Sequence, residues 1–279
     1  MTTLIIGGSG FLGTELIRQA TAAGQATAAT YATRPGDAAQ AVWYPLDLRD
    51  ASRLDAVMRE VSPQVIINAS SGGSDWAVTA QAPIRIAMTA ARQGVRLVHV
   101  SSDAVFSGAQ VHYDESRLPD PIIPFGAAKA AAETGILAVY PEAVVARTSL
   151  IIGDGGSVHE RLVHELAAGT RDGVLFTDDI RCPVHVADLA AALLELAWDD
   201  SSGVHHAAGP DAVSRHELGL LIARRDGLDA SSLPTGRRTD SPLPGALDVR
   251  LDSRATQRKL GTMVRGARAV LQGAPPVAN

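Results

Sequence analysis

Residues 7–13 read Gly7-Gly8-Ser9-Gly10-Phe11-Leu12-Gly13. They follow the apolar run Thr2 to Ile6, which reads as a buried strand, and they open a stretch where Leu12, Leu16, Ala20 and Ala23 recur at helical spacing until Gly24 stops it. A glycine-rich turn between a strand and a helix is the context in which this pattern binds a dinucleotide. Gly7 permits the tight turn, Gly10 lets backbone approach a pyrophosphate, and Gly13 lets the helix pack closely on the strand. The free N–H groups and dipole of the helix start favour the anion, which Ser9, Phe11 and Leu12 would border.

Outward from this turn, strand-like and helix-like stretches alternate. Strands are expected at Ala26 to Tyr31, Val42 to Leu46, Val65 to Asn68, Val95 to Val100 and Ala143 to Ile152. Helices are expected at Ser52 to Val61, Pro83 to Gln93 and Phe125 to Val139. Such alternation predicts an α/β fold, a Rossmann-type doubly wound parallel sheet. The second half is less regular. It reads as helices at His159 to Ala168, Val186 to Trp198 and Ser214 to Arg225, with a Pro-, Gly- and Arg-rich loop from Leu233 to Asp248. The expected organisation is a coenzyme-binding core of residues 1–155 and 174–200, a small C-terminal substrate lobe of residues 156–173 and 201–272, and a flexible tail of residues 273–279.

Composition narrows the function classes. Of 279 residues, 46% are hydrophobic and 20% charged, which excludes a disordered or fibrous chain. The net charge of -5, with both signs interspersed, argues against a nucleic-acid partner. The longest apolar stretch, Leu189 to Trp198, is too short to span a membrane, and the first strand starts too early for a leader, so a cytosolic location is expected. A single cysteine, Cys182, leaves no disulfide framework. His205-His206 would point to opposite faces of a strand with no carboxylate cluster nearby, so no metal site is expected. Asp178-Asp179 and Asp199-Asp200 read as loop charges and helix-end punctuation. Lysine and asparagine are scarce, Lys129, Lys259, Asn68 and Asn279 being the complete set, which reads as the codon bias of a high-GC genome and makes a specific need more frequent than usual where either residue occurs.

The end of the second strand reads Thr30-Tyr31-Ala32-Thr33-Arg34, with no carboxylate before Asp37. An acid there would grip a ribose 2′-hydroxyl, whereas Thr33 and Arg34 suit a 2′-phosphate, so NADP(H) is expected, with NADH possible.

Several further stretches carry a resemblance. Asp47-Leu48 follows the third strand, Asn68-Ala69-Ser70 closes the fourth, and Leu97 to Gly108 reads LVHVSSDAVFSG. Tyr113-Asp114-Glu115, Pro119 to Glu133, Arg147-Thr148-Ser149 and Val186-Ala187-Asp188-Leu189 follow. Over nearly its whole length the chain resembles the extended short-chain dehydrogenases, in the branch of dTDP-4-dehydrorhamnose reductase, whose fifth strand reads LVHxSTDYVFDG. The resemblance implies that Asp47 and Leu48 hold the adenine and that Ala69 and Ser70 line the coenzyme. It implies ketone reduction by coenzyme hydride, with Ser102 orienting the carbonyl and Lys129 gripping the nicotinamide ribose. The family's proton-donating tyrosine, four residues before that lysine, falls on Phe125, which has no proton to give. Leu150 stands where the family has a tryptophan.

Tyr31, Tyr44, Tyr113 and Tyr140 are the tyrosines, none four residues before a lysine. His99 shares a strand face with Ser101, and a structural role is expected for it. One escape is a substrate that carries its own acid. A ketone beside a phenol has a donor of pKa about 10 already bonded to its oxygen. The leading expectation is therefore an NADPH-dependent ketoreductase acting on an aromatic polyketide of the angucyclinone type in antibiotic biosynthesis, with Trp76, Phe125 and Ser102 against the substrate. The alternatives are a dTDP-4-keto-deoxysugar reductase and a non-catalytic NADP(H)-binding regulatory subunit. Monomer and homodimer stay open.

Overall fold

The computed structural model describes residues 1–272; the expected tail, residues 273–279, lies outside them. Seven parallel strands form the central sheet: β1 (Thr2–Ile6), β2 (Ala26–Tyr31), β3 (Val42–Pro45), β4 (Val65–Asn68), β5 (Arg96–Ser102), β6 (Val144–Thr148) and β7 (Gly203–His206). Their spatial order is 3-2-1-4-5-6-7. The chain winds outward from β1 to β3, then crosses back beside β1 and continues to β7. The two directions part between β1 and β4, and a crevice opens there at the carboxyl ends of the strands.

The strands are apolar and largely buried on both faces, as expected where helices cover both sides of a parallel sheet. Helices α1 (Phe11–Ala22) and α6 (Val186–Trp198) cover one face, where Leu16, Ile17, Leu189 and Leu193 pack on Ile5, Ile67 and Val98. Helices α2 (Ala51–Val61), α3 (Ala82–Gln93) and α4 (Pro124–Val139) cover the other, where Met58, Ile86 and Ile136 pack on Leu4, Ile66 and Leu97. Among the described residues no helix is long and apolar enough to cross a membrane.

Three details depart from the sequence reading. The run Ala143 to Ile152 is not one strand: β6 stops at Thr148, and Ile151–Ile152 turns away to pair with Val184–His185. Ser149 makes the break, its hydroxyl drawn to the Asp103 carboxylate at 2.6 Å. Gly203–His206, assigned to the lobe, pairs with β6 as the seventh strand. A π-helical turn, Ala77–Gln81, runs straight into α3, so the helical segment begins before Pro83.

The lobe is built on α5 (Val158–Ala167) and α7 (Arg215–Asp226), which enclose a separate apolar cluster around Val163, Leu218 and Ile222. One carboxylate organises its start. Ser157 and Glu160 cap α5 reciprocally, and Glu160 also accepts from the backbone N–H groups of Gly153 and Gly155 and from Arg225 at 2.8 Å. Glu160 is fully buried. Burial pushes its carboxyl up, but the Ser157 and Arg225 hydrogen bonds prevail and hold it below the usual carboxylate range. Replacing it with Gln removes one of the two carboxylates on Arg225, which keeps Asp226 at 2.6 Å. Urea denaturation of Glu160→Gln is expected to show a loss of about 1.5–3 kcal/mol, the worth of the charged hydrogen bonds it weakens, against about 1 kcal/mol for Ser157→Ala, which removes only the cap.

Candidate active site

The crevice between β1 and β4 widens into a cavity of about 890 Å³ that runs from the glycine turn to the lobe. At its first end the turn folds as its glycines require. Gly7 has φ +84°, and a Cβ there would stand 2.9 Å from the Ser70 backbone, so this turn and the segment after β4 approach as only glycine allows. A Cβ on Gly13 would come within 2.2 Å of the Gly7 carbonyl, so Gly13 supports the wall from behind without lining it. Gly10 caps α1 in extended conformation, and the helix N-terminus faces the cavity through Gly10, Phe11 and Leu12. This cradle fits a pyrophosphate.

The next part of the wall comes from Tyr31 and Ala32 after β2, Asp47 and Leu48 after β3, and Ala69 and Ser70 after β4. Thr33 and Arg34 do not line the cavity; they follow one step further along the exposed loop. Trp76 also stays outside, half exposed at the start of the π-helical turn. Behind the wall, Ser70 donates to Asn68 Oδ1 at 2.6 Å, and Asn68 Nδ2 donates to His99 Nδ1 at 3.1 Å. The amide thereby fixes His99 in the Nε2–H tautomer. Burial first, and the Lys129 charge second, hold its ring neutral, well below the usual histidine range.

Further in stand Ser102, Phe125 and Lys129, all on the cavity wall. Lys129 is buried and donates to the Val100 carbonyl at 2.8 Å. Burial lowers its ammonium to about 8, with the Glu133 carboxylate acting in the opposite sense. Phe125 lies one helical turn before it. The helix that carries both sits directly on the loop after β5: a Cβ on Gly126 would stand 2.0 Å from the Ala104 carbonyl. Beneath, Glu133 accepts from Ser101 at 2.5 Å and from Arg147 at 2.8 Å, with both ion-pair side chains 3% exposed.

Among the described residues no tyrosine hydroxyl reaches this end. Tyr113 is buried, stacked on Phe106 at 4.0 Å, its hydroxyl accepting from Gln110 N. Tyr140 donates to the Val95 carbonyl at the far end of α4. Tyr44 lies on edge strand β3, off the cavity wall. Tyr31 lines the cavity but ends β2, three strand spacings from β5, or about 14 Å.

The lobe end carries polar groups that sequence reasoning missed. Ser102 donates to Asp103 at 3.2 Å, and Asp103 also takes the Ser149 hydroxyl. Asp179, read as a loop charge, is 3% exposed and pairs with Arg181 at 3.0 Å and Arg215 at 3.4 Å. Arg215 donates to His159 Nδ1 at 3.3 Å. Guanidinium can only donate, so this contact leaves the proton of the neutral ring on Nε2. Burial, then Arg215, lowers His159 to about 3, which makes it a fixed neutral donor on the wall. The nearby apolar wall includes Phe106, Ile122, Leu150 and Val158. Ala104 and Leu150, which line the cavity, are smaller than the tyrosine and tryptophan that the family pattern has at those positions. His205 and His206 alternate faces on β7, and among the described residues no group of three metal-ligating side chains occurs.

A family model described as RmlD substrate binding domain matches residues 1–273. The chain belongs to that family. It is 31% identical over 258 residues to a dTDP-4-dehydrorhamnose reductase of Mycobacterium tuberculosis, covering 86% of this chain and 81% of the relative. It is 27% identical over 220 residues to a methionine adenosyltransferase 2 subunit beta of Xenopus laevis, covering 71% and 64%. A solved dTDP-4-dehydrorhamnose reductase from Bacillus anthracis, in complex with NADP, superimposes with a TM-score of 0.79 at 21% identity over 97% of each chain. The α/β architecture with a parallel central sheet is that of the family.

Lys129 sets the expected acid–base behaviour. Its charge is present below about pH 8 and lost above it. NADPH affinity, followed by fluorescence titration, is expected to weaken as pH rises through 8. Lys129→Met is expected to weaken binding at pH 7 by about tenfold and to flatten that pH dependence, a hydrogen bond to a charged group being worth about 1.5–3 kcal/mol.

Proposed function

We propose that this chain is an NADPH-dependent ketone reductase whose own residues do not supply the proton. The observation that carries this is Phe125 beside a retained Lys129 and Ser102 in a cleft that fits a dinucleotide. The glycine cradle would hold the pyrophosphate, Asp47 and Leu48 the adenosine, and Lys129 the nicotinamide ribose. Arg34 stands free of ion pairs among the described residues, just past a strand end without a carboxylate, and would take the 2′-phosphate. The absence of a carboxylate on β2 supports NADPH over NADH, which stays usable. When bound, NADPH supplies hydride to the substrate carbonyl carbon.

The chain's part is to hold and to exclude water. Ser102 is positioned by Asp103 and by the backbone N–H of Ala104, so its hydroxyl can meet a carbonyl oxygen in a fixed direction. Phe125 closes the wall without contributing a proton. A positioned general acid is worth about 10²–10⁴ in rate, so the substrate itself has to make up that factor. A hydroxyl adjacent to the ketone does so: it gives its proton to the new alkoxide oxygen, and water later reprotonates it.

Two substrate classes follow. The names of the relatives favour a nucleotide-linked keto-sugar, and on comparison alone this is the better supported reading. A flat ketone with a neighbouring phenol, as in an aromatic polyketide, fits Phe125 in the acid's place and an apolar wall that includes Phe106, Ile122, Leu150 and Val158. The subunit beta relative keeps a purely binding role in view, but Ser102 and Lys129, the groups that serve reduction, both remain on the cavity wall.

The deciding experiment compares NADPH oxidation with 8-hydroxy-1-tetralone, its 8-methoxy ether and dTDP-4-dehydrorhamnose. Turnover of the hydroxy ketone with loss on methylation supports the phenol reading; equal rates for the two tetralones remove it. Turnover of the sugar nucleotide, reduced by Ser102→Ala, supports the sugar reading. Phe125→Tyr is expected to raise the rate on the methyl ether by about 10²-fold or more, because it returns the missing acid.

A further inference from the structure

The coenzyme turn has no cationic side chain of its own: Gly7 to Gly13 is followed by Thr14 and Glu15. A pyrophosphate held there has backbone donors but no countercharge from the core. The lobe comes close to the same place. The ring of Phe11, the first residue of α1, is packed against two lobe glycines. A Cβ on Gly153 would stand 2.7 Å from the Phe11 ring, and one on Gly156 3.0 Å from it. The Gly156 carbonyl in turn accepts from the guanidinium of Arg161, on the first turn of α5. Arg161 lines the main cavity, and it also lines a second hollow of about 470 Å³ together with Ser9, Gly10 and Phe11.

Six lysine and arginine side chains face the main cavity, and Arg161 alone among them also faces the hollow at the glycine turn. The others are committed elsewhere. Arg49 bridges Asp47 and Asp75, Lys129 is on Val100, and Arg181, Arg215 and Arg238 surround Asp179. Among the described residues no carboxylate lies within ion-pair distance of Arg161. The two acids at the hollow have other neighbours: Glu15 bonds Arg18 and Gln19, and Asp154 is 3.6 Å from His185.

We propose that Arg161 is the cationic side chain that closes over the coenzyme pyrophosphate, so that the substrate lobe takes part in holding the coenzyme. This rests on the coenzyme reading given above. Arg161 is then a coenzyme residue separated from the glycine motif by most of the core sequence. Its helix also carries Val158 and His159 on the substrate wall, so coenzyme binding steadies that wall before the ketone arrives.

The test measures binding of NADPH, NADP⁺ and adenosine 2′-monophosphate to the full chain and to Arg161→Gln and Arg161→Lys, by calorimetry. Adenosine 2′-monophosphate keeps the adenine and the 2′-phosphate but lacks the pyrophosphate. In Arg161→Gln, NADPH and NADP⁺ are expected to weaken about five- to twentyfold, the monophosphate to stay unchanged, and Arg161→Lys to recover part of the loss. The unliganded melting temperature is expected to match that of the parent chain. Unchanged NADPH affinity in Arg161→Gln overturns the inference while leaving the coenzyme reading intact. A parallel loss for all three ligands also overturns it, since the effect is then on the fold of the site. A parent chain that binds no NADPH overturns both.

Discussion

Glu133 sits on the sheet side of α4, 2% exposed, and takes hydrogen bonds from Ser101 on β5 and from Arg147 on β6. Two strands and one helix are thereby locked in a single register by one carboxylate. Arg147 is held on its other side by the Arg117 carbonyl and lies 5.0 Å over the Phe106 ring. A buried pair of this kind adds little over well-packed apolar residues, but removing one partner is severe, because the other stays charged in a dry interior. The register it fixes is the register of the site. Lys129 is one turn before Glu133 and Phe125 one turn before Lys129, so the clamp decides how both face Ser102.

That arrangement explains why the acid can be absent without the site collapsing. A phenyl ring fills nearly the volume of a phenol, and nothing in the clamp depends on a hydroxyl at position 125. Lys129, Ser102 and the glycine turn all stand on the wall of the same cavity as Phe125. Ala104 and Leu150 also line that cavity.

Most of the core was legible in the sequence, for a physical reason. Strands of a parallel sheet are buried on both faces, so they stand out as short apolar runs such as Thr2 to Ile6 and Val65 to Asn68, and the glycine turn has steric demands that few other residues meet. The edge strand Gly203–His206 was not legible, because two histidines fill half of it and its apolar signal is weak. The lobe wall was harder still. Asp179 reads as a solvated charge beside Asp178; what buries it is Arg181, Arg215 and Arg238, which meet only in three dimensions. His159 looks like any helix-start residue until Arg215 is placed against it. The absence of acid around Thr33 and Arg34 is a chemical signal that does not fix how far along the loop the wall extends.

The buried ammonium of Lys129 has a consequence for the life of the protein outside catalysis. With nothing bound, the folded chain holds this ammonium buried, on the Val100 carbonyl and within the field of the Glu133 carboxylate. A ligand that binds only the folded form draws the population away from open, protease-sensitive states in proportion to its concentration over its dissociation constant. The empty chain is thus the form most exposed to degradation. Cellular abundance of this protein would then track the supply of coenzyme, rising when the pool is full and falling when it is drained.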